Sequence, residues 1–167
     1  MNKATVAPLL ILAALTALGP ACFRVDENFE LVMYVSGGLS TFSGREYLIT
    51  VEGDSAHWSI EEEALDGEIT RQDGDKPVAE LRELYTEIRT LGFEELENAG
   101  ELMVTDQHTY TVTATDGVYT YGFKVYGPSF QPDERYLKII DAITGFCQPN
   151  AEGEDDAAPP ETNPADS

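Results

Sequence analysis

Two histidines and a run of carboxylates are the residues of this chain best suited to metal or acid–base chemistry. His57 and His108 each lie in an alternating, strand-like stretch, and neither has a histidine or cysteine at the spacing of a metal-ligand pair. We therefore expect both histidines to be structural. Glu61–Glu63 and Asp66 could gather a calcium ion, but they lack the alternating oxygen ligands and the glycine of a calcium-binding loop. We expect a solvated acidic turn and no bound metal.

The motifs of common enzymes do not occur in this sequence. It contains no HExxH zinc motif, no GxSxG nucleophile elbow, no phosphate-binding glycine loop and no CxxC pair. Because no nucleophile can be matched with a base, we expect a protein that is not an enzyme and needs no cofactor. Such a protein acts by presenting a surface to a partner.

The stretch best suited to contact a partner is Ser36–Gly44, SGGLSTFSG. It holds two bulky apolar residues, Leu39 and Phe42, between glycines. Gly37 and Gly38 would let the backbone approach a partner closely, because no Cβ intervenes. The alternative is an ordinary hairpin connection in which the two apolar side chains fold back onto the edge of a sheet. Both interpretations remain open from the residues alone.

Alternating apolar and polar residues predict strands on both sides of this loop and a hairpin later in the chain. The strands are expected at 29–35, 45–51 and 56–60, with a possible short strand at 68–72 and the hairpin at 109–126. In the hairpin, Asp116-Gly117 is expected to form a two-residue turn, so that Thr115 faces Val118 and Tyr110 faces Phe123.

Two stretches have the three-to-four-residue period of amphipathic helices, at 77–91 and 132–146. The order of elements is then β-β-β-α-β-β-α. This order predicts an α+β fold, with an antiparallel sheet of about five strands and two helices packed on one face.

The two ends of the chain differ in composition from the middle. Residues 1–21 have a basic start, an apolar run too short to span a bilayer and a small residue at the end, which predicts an export signal. Residues 148–167 are rich in Pro, Ala, Asp and Glu and predict a disordered acidic tail. We expect a linker at 22–28 and a single domain at 29–147.

Cys22 directly follows the last small residue of the signal segment. This arrangement resembles the lipobox of bacterial lipoproteins, in which the cysteine becomes the lipidated N-terminus. The alternative is ordinary cleavage after Ala21, which leaves Cys22 free to form a disulfide with Cys147 in an oxidising compartment. The expected location is the cell envelope, either lipid-anchored or secreted, and the only expected membrane contact is through the lipid.

The chain is strongly acidic, with 31 Asp and Glu against 10 Lys and Arg and a net charge of −21. Loss of residues 1–21 would remove only one charged residue, Lys3, and bring the charge to about −22. Such a field disfavours nucleic acid as a partner. It favours partners with cationic or metal-bearing surfaces, although solubility alone is a sufficient reason for the charge.

Several short motifs occur in one order along the chain. They are Ser36-Gly37-Gly38, Ile49-Thr50-Val51, the helical stretch ELRELYTEIRTLGFEEL, and a strand with Asp106, Tyr110 and Val112, followed by the C-terminal helix. This pattern resembles the emfourin family, small bacterial proteins that inhibit protealysin and related thermolysin-like metalloproteases. The resemblance covers about residues 29–146.

The resemblance implies a site and a partner. The Ser36–Gly44 loop would enter the protease cleft, and Leu39 or Phe42 would fill the large apolar pocket beside the scissile bond. A backbone carbonyl near Gly37-Gly38 would face the catalytic zinc of the protease. We expect a monomer that inhibits a thermolysin-like metalloprotease. The alternative is a non-catalytic envelope lipoprotein that serves as a binding or scaffold domain for another partner.

Overall fold

A computed structural model of the chain describes residues 24–38, 41–99 and 106–149. The predicted export signal, Cys22, Leu39 and the predicted tail from residue 150 onward lie outside these ranges. The strands and α-helices of the described ranges, in chain order, are β1 Glu30–Gly37, β2 Phe42–Glu52, β3 Ser55–Ala64, β4 Ile69–Pro77, α1 Val78–Thr90, β5 His108–Thr115, β6 Thr120–Tyr126 and α2 Arg135–Phe146, with short 3-10 helices at Phe93–Glu95 and Pro128–Phe130.

These strands form one antiparallel sheet in the order β4-β3-β2-β1-β5-β6. The α+β class and the two helices are confirmed, but the sheet has six strands rather than about five. The extra strand, β4, pairs with β3 from Ser55↔Pro77 to Glu63↔Ile69. Its sequence is almost entirely polar because it is an edge strand with most side chains in water, so it lacks the alternation that marks a half-buried strand.

One face of the sheet forms the core together with both helices. Buried residues alternate with more exposed ones along every strand except β4, and α1 and α2 contribute their apolar stripes to the same cluster. The inward residues include Leu31 and Met33 of β1, Ile49 of β2, Leu81 of α1 and Ile139 of α2, all fully buried. Burying each such side chain stabilises the fold by about 1.5–3 kcal/mol.

The opposite face of the sheet carries polar or partly exposed residues. Tyr34 of β1 is 42% exposed there. On the neighbouring strand β5, every second residue from Thr109 to Thr115 is a threonine on this face. Neither helix of the described ranges has the length and apolar character that crossing a bilayer would require.

The β5–β6 hairpin is present, but its predicted register is wrong by two residues. Thr115 pairs with Thr120 and Tyr110 pairs with Val125. The turn has four residues, Asp116–Tyr119, rather than two. The Asp116 carboxylate accepts hydrogen bonds from the amides of Val118 and Tyr119 and so stabilises the longer turn. A shift of two residues keeps each side chain on its expected face, so the core side of the hairpin is unchanged.

Candidate functional site

Both strands extend into the predicted Ser36–Gly44 loop, because β1 ends at Gly37 and β2 begins at Phe42. The connection between the strands is therefore shorter than predicted, residues 38–41, at one end of the sheet. β1 lies in the middle of the sheet and pairs with β2 on one side and β5 on the other. Ser36 pairs with Gly44 of β2 and with Thr109 of β5. The start of the loop is therefore fixed by strands on both sides, which gives it a rigid base.

Two consecutive glycines turn the chain as it leaves β1. Gly37 and Gly38 have φ angles of +77° and +78°, a left-handed conformation that other residues adopt only at an energetic cost. The two residues are exposed. Glycine is therefore needed at these two positions because of the backbone conformation. Of the five residues predicted to contact a protease, Leu39 is the one outside the described ranges.

A β-bulge places Phe42 on the inner side of the sheet. The register of β2 against β3 shifts between Phe42 and Gly44. Residues three apart in a regular strand face opposite sides, but the bulge brings Phe42 and Arg45 to the same side. The Phe42 ring is stacked on the imidazole of His108, with ring centroids 5.3 Å apart and an angle of 11° between the planes.

Arg45 makes a second contact with the same ring. Its guanidinium carbon lies 4.6 Å from the centre of the Phe42 ring, within the range of a cation–π interaction. Arg45 Nε donates to Glu62 Oε2 of β3 at 2.7 Å, and Nη1 donates to the hydroxyl of Tyr47 at 3.4 Å. Burial opposes the charge on Arg45, but these hydrogen bonds outweigh burial and hold its pKa above the ordinary value.

His108 lies beneath the turn of the loop. Its Nε2 is buried and has no hydrogen-bond partner within the described part of the chain. A Cβ built on Gly38 would lie 3.0 Å from this nitrogen, so the backbone at Gly38 passes directly over the imidazole. The edge of the same ring meets Tyr110, with centroids 6.4 Å apart. We call Phe42, Arg45 and His108 the loop clamp, because together they hold the flank of the loop against the sheet.

A cavity of about 310 Å³ opens beside the loop clamp, between the sheet and α2. Its walls combine apolar and aromatic side chains with polar ones, among which Arg45 and Asp141 supply charges of opposite sign. Burial, with the nearby Tyr47 hydroxyl, raises the pKa of Tyr110 in this cavity above its ordinary value. The lining residues are Val35, Phe42, Arg45, Tyr47, Gln107, His108, Tyr110, Pro128, Ser129, Leu137, Ile140, Asp141 and Thr144. The volume is at the lower end of the range for small-ligand pockets.

The structure brings four of the predicted contact residues, Ser36, Gly37, Gly38 and Phe42, to one end of the domain. Phe42 is partly buried and packs against the core, as the hairpin alternative expected for it. Sequence reasoning missed Arg45 as a member of this site and did not associate His108 with the loop. The local sequence carries no signal for the bulge that aligns Arg45 with Phe42.

The second histidine lies at the other end of the sheet, on its open face. His57 Nδ1 is paired with Asp75 Oδ1 of β4, and its Nε2 lies 3.4 Å from Glu52 Oε2. Both ring nitrogens of His57 therefore face carboxylates. No group of three or more His, Cys, Asp or Glu within residues 24–38, 41–99 and 106–149 is arranged to hold a metal ion.

Cys147 follows the last residue of α2 and is fully buried. Burial raises the pKa of its thiol to about 12, although Lys76 nearby acts in the opposite direction. At neutral pH the group is therefore a protonated thiol packed in the core. Its predicted partner in a disulfide, Cys22, lies outside the described ranges.

Comparison with known proteins does not add a relative. No family model matches the chain, and no curated protein is significantly similar to it.

Proposed function

We propose that this protein is exported, is anchored to a membrane by lipid on Cys22, and inhibits a thermolysin-like metalloprotease. The contact is the Ser36–Gly44 loop. The observation that carries the proposal is the geometry of this loop: two left-handed glycines in succession lie at the end of a central strand, above a flank fixed by the loop clamp. A loop whose two ends are fixed by paired strands suits insertion into a cleft, because those ends lose little conformational freedom on binding.

The side chains of the loop have different tasks in this mechanism. Phe42 holds the base, since its ring is already occupied by His108 and Arg45. Leu39 is then the side chain that fills the apolar pocket of the protease. Gly37 and Gly38 allow a backbone carbonyl to approach the catalytic zinc of the protease, because no Cβ stands in the way. The inhibitor itself contributes no metal and no reaction.

The charge of the chain supports a partner with a cationic or metal-bearing surface. The net charge of −21 is large for 167 residues. A field of this size speeds encounter with a partner of opposite potential and weakens as salt is added. The association rate with the protease should therefore fall with ionic strength, while the dissociation rate changes less.

Lipidation is the state of Cys22 that fits the rest of the molecule best. The thiol of Cys147 is fully buried and protonated, and it packs as a core residue. Cys147 packs in the core as a free thiol and needs no disulfide there, which leaves Cys22 for lipid. Mass spectrometry of the mature N-terminus tests this directly: lipidation adds the mass of a diacylglyceryl group at Cys22, whereas a disulfide leaves the mass of the mature polypeptide less two hydrogens.

The direct test of the function is an inhibition assay. Purified mature protein is mixed with thermolysin, and hydrolysis of a chromogenic peptide is followed at several substrate concentrations. The proposal predicts competitive inhibition that persists while the protein remains uncleaved. A protein that slowed the peptide reaction only by being digested itself would be a competing substrate and not an inhibitor. Resistance of the protein to cleavage without any slowing of the peptide reaction would instead support the alternative, a binding or scaffold domain of the cell envelope.

A further inference from the structure

The turn between β5 and β6 exposes two apolar residues that the sheet does not use. Val118 is 79% exposed and Tyr119 is 39% exposed. A two-residue turn would have paired both residues with β5, but the four-residue turn leaves them outside the ladder. The turn keeps its shape without these two side chains, because its hydrogen bonds involve only the backbone and Asp116. The Asp116 amide donates to the carbonyl of Tyr119, and the Asp116 carboxylate accepts from the amides of Val118 and Tyr119.

The start of the described chain is attached to this same turn. Asp116 Oδ2 accepts a hydrogen bond from the backbone amide of Arg24 at 3.1 Å, and Oδ1 accepts from the amides of Val118 and Tyr119 at 2.9 and 2.7 Å. Asp116 is only 7% exposed, and these three amides replace water as hydrogen-bond donors to its carboxylate. The bond to Arg24 spans 92 positions of sequence and fixes where the N-terminal segment meets the domain.

This attachment limits where a lipid on Cys22 can emerge. Cys22 is two positions before Arg24, whose amide is anchored, and an extended chain covers about 3.5 Å per residue. Cys22 therefore lies within roughly 7 Å of residue 24. The lipid-bearing residue and the exposed pair Val118 and Tyr119 are at the same end of the domain.

We propose that the Asp116–Tyr119 turn is a membrane-contact site, in which Val118 and Tyr119 enter the headgroup boundary of the bilayer beside the lipid on Cys22. This inference rests on the lipid anchor of the proposed function. Tyrosine is well suited to such a boundary, because its ring is apolar and its hydroxyl remains in contact with water. One apolar contact next to a covalent lipid is enough to orient the domain, since the lipid supplies the affinity.

The orientation has a consequence for the inhibitory loop. β1 begins beside the turn, where Glu30 pairs with Thr115, and ends beside the loop, where Gly37 pairs with His108. Eight strand residues span about 25 Å. The membrane contact and the Ser36–Gly44 loop therefore lie at opposite ends of the domain, and the loop faces away from the bilayer, where a protease can reach it.

Charge near the turn selects the kind of lipid. Asp26, Glu27 and Glu30 lie within a few residues of Arg24, and they outnumber it. An anionic bilayer would repel this end of the domain. The contact is therefore made with zwitterionic lipid, such as phosphatidylcholine or phosphatidylethanolamine, and should weaken as anionic lipid is added.

The test measures the depth of two labelled positions on the full lipidated protein. Val118→Cys and, as the matched control at the opposite end, Thr41→Cys are labelled with an environment-sensitive fluorophore; the buried Cys147 thiol and the lipidated Cys22 do not react. The proteins are reconstituted in phosphatidylcholine vesicles. Quenching by nitroxide-bearing lipid should be several-fold stronger at position 118 than at position 41, and quenching by aqueous iodide should show the reverse order.

Further measurements distinguish membrane contact of the turn from anchoring by the lipid on Cys22. Adding Tyr119→Ser to the Val118→Cys protein should reduce lipid quenching at position 118, and so should anionic phosphatidylglycerol. Equal quenching at positions 118 and 41 in a protein that floats with the vesicles would overturn the membrane contact and leave the lipid anchor standing. A full chain that does not float with vesicles would overturn both. Stronger contact with anionic lipid would overturn the assignment to a zwitterionic surface.

Discussion

The turns that close the β1–β2 and β5–β6 hairpins lie at opposite ends of the sheet and are held in opposite ways. The β5–β6 turn is held from inside, by the Asp116 carboxylate and the amides around it. The β1–β2 loop is held from its flank, by the Phe42 ring against His108 and Arg45. The comparison shows that a turn with an internal hydrogen-bond acceptor does not need its other side chains to keep its shape, whereas the flank of the β1–β2 loop is held by packing of the Phe42 side chain.

The largest expected effect compares one glycine from each hairpin. A Cβ on Gly122 of β6 would lie 2.3 Å from the backbone oxygen of Val112, whereas a Cβ on Gly44 of β2 would lie 2.6 Å from the hydroxyl of Tyr34, the end of a flexible side chain. Gly122→Ala should therefore lower the free energy of unfolding by about 3 kcal/mol, and Gly44→Ala by less than about 1 kcal/mol. Urea unfolding of both variants checks this, and equal losses would contradict the difference in backbone spacing.

A second pair of variants compares the apolar residues of the two turns. Phe42→Ala removes the stacking with His108 and the contact with Arg45, and should cost about 2 kcal/mol of stability, below the range for a fully buried phenylalanine. Val118→Ala should change stability by less than about 0.5 kcal/mol, because that side chain is largely in water. Thermal unfolding measures both. A cost at Val118 equal to that at Phe42 would mean that the β5–β6 turn also depends on its side chains.

The internal acceptor of the β5–β6 turn should make part of the stability depend on pH. Hydrogen bonds from the amides of Tyr119, Val118 and Arg24 lower the pKa of Asp116, outweighing the opposing effect of burial. A carboxyl whose folded pKa lies below its unfolded value, about 3.9, stabilises the fold above that value and loses this contribution as pH falls through the folded pKa.

Asp116→Asn removes this titration while keeping the shape of the side chain. The wild type should be more stable than Asp116→Asn at pH 7, and the difference should shrink as pH falls below about 4. Melting temperatures of the two proteins between pH 7 and pH 2 measure the difference. A gap that stays constant over this range would show that the Asp116 charge has no part in holding the turn.

The smallest expected effect concerns the unpaired nitrogen in the loop clamp. A buried polar atom without a partner commonly costs about 1–3 kcal/mol. His108→Phe keeps a ring for stacking on Phe42 and removes the nitrogen, so it should raise the free energy of unfolding by about 1 kcal/mol. Chemical unfolding checks the sign. A clear loss of stability would show that His108 Nε2 has a partner in solution.

The sequence pattern predicted which side of each strand faces the core, but it did not predict the register of the last hairpin. Alternation has a period of two, and a shift by two residues leaves every face unchanged. The register is set by the four-residue turn, in which the Asp116 carboxylate accepts hydrogen bonds from the amides of Val118 and Tyr119. Asp116-Gly117 is equally typical of a two-residue turn, so the residue types did not distinguish the two turns. The edge strand β4 was predicted too short for a different reason: most of its side chains are in water, so it lacks the alternation of a half-buried strand.

The site was predicted in part. Glycine at 37 and 38 is a local backbone requirement, and a sequence pattern can show it. The contacts of Phe42 depend on the assembled sheet: the bulge in β2 turns Arg45, three residues along the same strand, toward it, and the pairing of β1 with β5 brings His108 beneath it. Stacking between these rings therefore became visible only when the strands were assembled.

The measurement that tests the central claim most directly is the inhibition constant of Leu39→Ala against thermolysin, beside wild type and Val118→Ser. Loss of a central anchor side chain commonly costs 2 kcal/mol or more in binding, about thirtyfold in the inhibition constant. We expect a rise of about that size for Leu39→Ala and no change for Val118→Ser, which lies at the opposite end of the domain. Inhibition by a correctly folded Leu39→Ala as strong as that by wild type, or no inhibition by wild type, would contradict the account.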